Sequence, residues 1–255
     1  MPKVSQERLD RYRQLDTDAF AFKNNLVQQF FARATEQGYN LDPEAHHLHS
    51  GFFQAPHRTD PTGVDIGIFG SPCDLGAIGL AGTRHGPRAV RERSRFFGPY
   101  NDATGYIPFE QCQIVDLGDV SWTSASLSVR IQEDIYQKAK AAAEAGAVTL
   151  SCGGEHTTSF GVLKGLSEVH NESFSLIHVD AHSDTMATWG GDSVNDGSVF
   201  RQAVLNGFID PERTVQIGIR GRSNILWEFS HDSGMTVISA DEVFEKGIDY
   251  VMDKA

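Results

Sequence analysis

Short apolar runs alternate with amphipathic stretches along most of this chain, in the manner of strands that lie in a parallel sheet and helices that cover it. Residues 64–69 read as the first strand. Residues 89–97 read as a helix, with Pro87 near its start where a missing N–H costs nothing. Residues 114–117 form the next strand, and residues 127–145 a long helix that stops at Gly146. Strand 148–150, helix 159–170 and strand 174–179 follow, then short strands at 214–219 and 236–238 and a helix from 240 toward 252. Ahead of them, Leu9, Tyr12, Leu15, Phe20, Leu26, Val27, Phe30 and Phe31 recur at helical intervals. The spacing predicts one or two amphipathic helices that pack on the main domain or on a neighbouring subunit. The expected organisation is an N-terminal helical extension over 1–60 and one α/β domain over 61–255.

The chemistry concentrates where apolar runs end. Ile177-His178-Val179-Asp180-Ala181-His182-Ser183-Asp184 closes a strand with two carboxylates flanking an imidazole at spacing two. If the strand continued, Asp180, His182 and Asp184 would point the same way and converge. An oxygen–nitrogen–oxygen donor set suits Mn²⁺, Ni²⁺ or Zn²⁺, and the lack of a thiolate partner argues against a structural zinc site. Upstream, Leu150-Ser151-Cys152-Gly153-Gly154-Glu155-His156 ends another strand in a glycine turn. His156 therefore belongs at a carboxyl strand end, the edge of an open α/β sheet where ligands bind. About two dozen residues with a helix separate His156 from Asp180, enough for a right-handed crossover that brings both motifs to one site.

These motifs carry a resemblance. Gly70-Ser71-Pro72-Cys73-Asp74, Gly82-Thr83-Arg84-His85-Gly86-Pro87 with Val90-Arg91, Asp116-Leu117-Gly118-Asp119, the Gly153–His156 and Asp180–Asp184 motifs, and Gly218-Ile219-Arg220-Gly221 resemble the ureohydrolases, the arginase and agmatinase group. The resemblance implies an arginase-like three-layer α-β-α fold with a mainly parallel sheet. It implies hydrolysis of a guanidino carbon–nitrogen bond with release of urea, using two divalent ions, Mn²⁺ in most members and Ni²⁺ in some. His156, Asp180, His182 and Asp184 would then be metal ligands. A trimer or hexamer, homo- or hetero-oligomeric, is implied in the same way.

In Val194-Asn195-Asp196-Gly197-Ser198, Asp196 stands where agmatinase-like members carry an active-site histidine. Asp196 could bind a cationic substrate, act as an acid, mark lost activity, or simply form a turn with Gly197; Asn195 is the neighbouring candidate for substrate contact. The expected substrate is a small cationic guanidino compound. The family's third metal motif, a Ser-x-Asp-x-Asp strand, would follow Tyr250-Val251-Met252, and the sequence runs to Ala255. This leads to the expectation of a piece of a longer product with apolar surface exposed on its sheet. The competing expectations are a non-catalytic subunit of a hetero-oligomer and, more distantly, a single-zinc deacetylase of similar topology.

A formal charge of −12 argues against nucleic acid and anionic membranes as partners and suits cationic guanidino compounds. Cys73, Cys112 and Cys152 are few and widely spaced, so neither a disulfide framework nor a thiolate zinc site is expected. With no secretory signal and no long apolar run, the expected location is the cytoplasm. Ala45-His46-His47-Leu48-His49 is read as a surface histidine cluster, and Arg84 and Arg91 as helix-start or intersubunit ion-pair residues; residues 50–56 resemble the agmatinase entry segment near the pocket mouth, which implies a lid or intersubunit role.

Overall fold

The computed structural model describes residues 4–16, 23–36, 51–97, 100–124, 126–188, 193–221 and 224–255. The histidines at 46, 47 and 49 and Phe20 lie outside them. Among the described residues the strands form two parallel three-stranded sheets. In the first, β1 (Ile66–Ser71) lies between β2 (Ile114–Asp119) and β3 (Val148–Gly153), with Ile66 opposite both Ile114 and Val148. In the second, β5 (Ile209–Ile219) lies between β4 (Phe174–Val179) and β6 (Thr236–Ser239). Leu176 pairs with Thr214, and Val215 with Thr236.

Helices cover these strands, giving the three-layer α-β-α arrangement. Residues 128–144 form a helix, α5 by order after α1 (Gln6–Gln14), α2 (Asn25–Glu36), α3 (Gly86–Ser94) and the single-turn α4 (Pro108–Gln111). On α5, Ile131, Ile135, Ala139 and Ala142 recur every three or four residues and pack with Phe69, Val115 and Leu117 of the first sheet. Next come α6 (Thr158–His170), α7 (Val199–Leu205), α8 (Glu228–Asp232) and α9 (Ala240–Lys254). Val199, Phe200 and Ala203 of α7 build a second core with Ile209 and Met235. Val251 of α9 joins Val215 and Ile238 in another. Ser239 caps α9 by accepting the Glu242 N–H at 3.1 Å.

Both N-terminal helices are present. α1 buries nothing, whereas α2 packs Val27 and Phe30 against Ile107, so the main domain receives its apolar stripe. The described part of the 50–56 segment lies along β2: Asp116 accepts the Phe52 N–H at 3.1 Å, and the adjoining His57 bridges to Asp116. Arg84 and Arg91 both make ion pairs within the chain, Arg84 with buried Asp74 and Arg91 with Asp116 and Asp119. Among the described residues β3 pairs only with β1 and β4 only with β5. Val148, Leu150, Ile177 and Val179 on these two strands remain exposed, and a cavity of about 550 Å³ lies between β3, α6 and β4.

Candidate metal centre

The two motifs meet at the carboxyl ends of β3 and β4. After β3 the chain turns through Gly153 and Gly154, and a Cβ at Gly154 would overlap the Cys73 carbonyl, so only glycine lets the turn lie against the 71–74 loop. Buried Glu155 then accepts the Thr157 N–H at 2.8 Å and the Thr157 hydroxyl at 2.5 Å, anchoring the start of α6. His156 is held between these fixed points.

The second motif converges by a route the spacing does not predict. β4 ends at Val179, and Asp184 adopts a positive φ of 52°. Strand alternation therefore stops before Asp180, and a turn gathers the ligand atoms. His156 Nδ1 lies 2.5 Å from Asp184 Oδ2 and 3.6 Å from Asp180 Oδ2. His178 joins them, with Nε2 3.5 Å from Asp180 Oδ2. One donor atom from each of His156, His178, Asp180 and Asp184 lies within 4.8 Å of the others. His182 is outside this cluster: its ring is 65 % exposed, with Nδ1 3.8 Å from the other Asp180 oxygen, Oδ1. The turn that carries Asp180 away from the strand axis also swings His182 outward, beside Gly221. His178 shares the strand parity of Asp180, a signal present at 178 as well as at 182.

The donor set fits a divalent cation. Two carboxylates converge on one imidazole nitrogen, an arrangement whose negative charge needs a counter-ion. Burial disfavours a charged His156, but the hydrogen bond to Asp184 and the charges of Asp184, Asp180 and Glu155 outweigh it and raise its pKa. His178 moves the other way, because burial dominates and holds it below the usual histidine value. Asp180 is opposed by burial, yet the His182 N–H at 2.9 Å and the neighbouring imidazoles hold its carboxyl below the usual range.

His156, Asp180, His182, Asp184 and Asp196 line one cavity of about 500 Å³, with Ile78, Leu80, Met186, Leu226 and Trp227 forming its apolar wall. Among the described residues no lysine or arginine lines it. Asp196 shares that lining and sits on a clamped loop. Its N–H donates to the Gly76 carbonyl at 3.1 Å and its Oδ2 accepts the Ile78 N–H at 3.0 Å, while Oδ1 is buried without a partner. Asn195 does not line the cavity. Its Oδ1 accepts the Gly197 N–H at 3.1 Å, so the side chain closes the Asp196 turn rather than facing a ligand.

The arginase family model matches residues 64–255. The chain is 36 % identical over 197 residues to the mitochondrial guanidino acid hydrolase of Homo sapiens, covering 76 % of this chain and 55 % of that protein. It is 34 % identical over 204 residues to the guanidinobutyrase of Pseudomonas aeruginosa, covering 77 % and 63 %. The structure of proclavaminate amidino hydrolase from Streptomyces clavuligerus superposes with a TM-score of 0.75 at 29 % identity, covering 82 % of this chain and 69 % of that one. The chain thus spans between about half and two thirds of the length of these curated relatives. No helix among the described residues is long and apolar enough to cross a membrane. By its family match and its strand-end motifs, the chain belongs to the arginase family.

Proposed function

We propose that this chain carries metal-binding residues of a hydrolase that cleaves the guanidino C–N bond of a small, cationic guanidino compound and releases urea. The observation that carries the reading is the approach of His156, Asp180 and Asp184 to within 2.5–3.6 Å on the wall of a cavity shared with His182 and Asp196. His156, Asp180 and Asp184 would hold one divalent ion. Asp180 turns Oδ2 toward His156 and Oδ1 toward His182, so Asp180 and His182 would help to hold a second ion. Mn²⁺ is the preferred metal and Ni²⁺ the alternative, given oxygen and imidazole donors without thiolate. A divalent ion supplies Lewis acidity, which lowers the pKa of water toward ~7 and so provides a nucleophile for a resonance-stabilised guanidinium.

Asp196 gives the site its substrate preference. The apolar wall excludes water from the substrate's carbon chain, and the Asp196 carboxylate on the cavity lining offers negative charge to a guanidinium or ammonium group. Relatives named for guanidino acids act on molecules bearing a carboxylate. Here a carboxylate would face Asp196 with no lysine or arginine in the described lining to offset it. Agmatine-like amines and simple alkylguanidines are therefore preferred. A trimeric or hexameric assembly and a reducing compartment, matching three free cysteines, complete the reading.

Urea release from a panel of guanidino amines, alkylguanidines and guanidino acids, with Mn²⁺ or Ni²⁺ supplied, tests it. Turnover of the cationic members that disappears in Asp184→Ala supports the proposal. A second reading is a non-catalytic subunit of a hetero-oligomer, in which a partner would cover the exposed apolar residues of β3 and β4. It requires that coexpression raise a partner's activity and that Asp180→Ala leave that activity intact.

A further inference from the structure

His178 presents a choice that geometry decides. Its place among four donor atoms suggests a metal ligand. The environment of its other ring nitrogen argues otherwise. The buried Gln216 amide Nε2 donates to the Ser183 carbonyl at 2.7 Å and approaches His178 Nδ1 at 3.1 Å. The Ser183 contact fixes the amide orientation, because the opposite one would set Oε1 against a carbonyl oxygen. The second Gln216 hydrogen then points at His178 Nδ1, which must accept. A neutral imidazole that accepts at Nδ1 carries its proton on Nε2, and a protonated Nε2 cannot bind a metal ion.

That Nε2 is buried, has no hydrogen-bond partner, and stands 3.5 Å from Asp180 Oδ2. The ring is held in place by Phe200, whose centroid lies 4.4 Å away. We propose that Gln216 and His178 form a positioning pair, in which the amide locks the His178 tautomer and so aims Nε2–H at Asp180 Oδ2, poised to donate to that carboxylate and steady it for a divalent cation. The inference rests on the metal-site reading above. Removing such an outer partner typically weakens metal binding by about 10–100-fold without removing a ligand.

The test has two parts. In metal-free protein carrying ¹⁵N-histidine, NMR correlation of the His178 ring is expected to show the Nε2–H tautomer; a proton on Nδ1 overturns the inference whether or not the protein binds metal. Titration with Mn²⁺ then compares wild type with His178→Phe, which keeps the ring against Phe200, and Gln216→Met, which leaves His178 in place. Weakening by about 10–100-fold in both, with the number of ions per chain unchanged, supports the pair. Fewer ions in His178→Phe would make His178 a ligand, and equal affinity in wild type and both variants would leave it without a role; either result overturns the inference. A wild-type chain that binds no Mn²⁺ removes the metal site and the positioning role together, an outcome distinct from wild type and variants binding alike.

Discussion

Replacing Arg91 with methionine strips a buried carboxylate of its counter-ion. The guanidinium holds Asp116 through two bonds, Nε to Oδ2 at 2.7 Å and Nη2 to Oδ1 at 3.0 Å, and lies over the Phe52 ring with 4.0 Å to its centroid. Arg91 is 16 % and Asp116 3 % exposed, whereas Asp119, the third partner, is 42 % exposed. Screening leaves the Asp119 arm worth about 0–1 kcal/mol. Breaking the Asp116 pair from one side costs roughly 3–5 kcal/mol, because the carboxylate stays buried with only the Phe52 and Gly118 N–H groups. For a domain of this size that is a fall in Tm of roughly 6–20 °C. Burial alone would raise the Asp116 carboxyl, but Arg91 and the two N–H groups outweigh it and hold it below the usual carboxylate range. The pair's stabilisation is therefore present above the unfolded value of about 4 and lost as pH falls below it. Urea denaturation of wild type, Arg91→Met, Asp116→Asn and the double variant should show coupling of about 1–3 kcal/mol at pH 7, shrinking as the medium is acidified. A single-variant cost below about 1 kcal/mol with additive effects would mean the pair is solvent-screened, and the reasoning fails.

Asp196→Asn keeps an acceptor for the Ile78 N–H and removes the charge, so turnover of guanidino amines and alkylguanidines, both cationic, should fall about 5–30-fold in kcat/KM while guanidino acids, whose carboxylate is no longer repelled, change little; equal losses for all would deny Asp196 a charge-based role. Asp196→His should shift preference toward guanidino acids, and an unchanged substrate profile would count against the assigned selectivity. Chelation should lower Tm, since ligand at about 100 times Kd stabilises by ~2.7 kcal/mol, or roughly 5–11 °C here, and a melting curve indifferent to EDTA and Mn²⁺ would contradict metal binding. Gly154→Ala should cost about 1–3 kcal/mol and weaken metal binding, because its Cβ meets the Cys73 backbone rather than a flexible side chain; a thermal melt and Mn²⁺ titration at wild-type values would show that the turn can give way.

Much of the fold is legible from local pattern. β1 to β4 are apolar runs bounded by glycines and helices, and α5 and α6 carry strong helical spacing between clear stops. α7 is missed because Val199–Leu205 is too short to establish a period, and the first half of β5 is missed because Asp210, Pro211, Glu212 and Arg213 do not read as strand. The division into two sheets depends on pairing between distant segments, which no local pattern encodes. At the site, His156, Asp180 and Asp184 are legible because apolar runs end beside them. His182 is displaced because the chain leaves extended geometry at Val179 and alternation beyond it carries no information, whereas His178, inside β4, shares the parity of Asp180 and is overlooked although that signal is present. Asn195 is likewise drawn into closing a turn, a competition between side chain and backbone that residue type alone does not resolve.

Elemental analysis of the dialysed protein, compared with Asp184→Ala, tests the central claim most directly. The account predicts at least one Mn or Ni per wild-type chain and a clear loss in the variant. A wild-type chain that stays free of Mn, Ni and Zn after reloading, or an Asp184→Ala chain that binds as much metal as wild type, would contradict it.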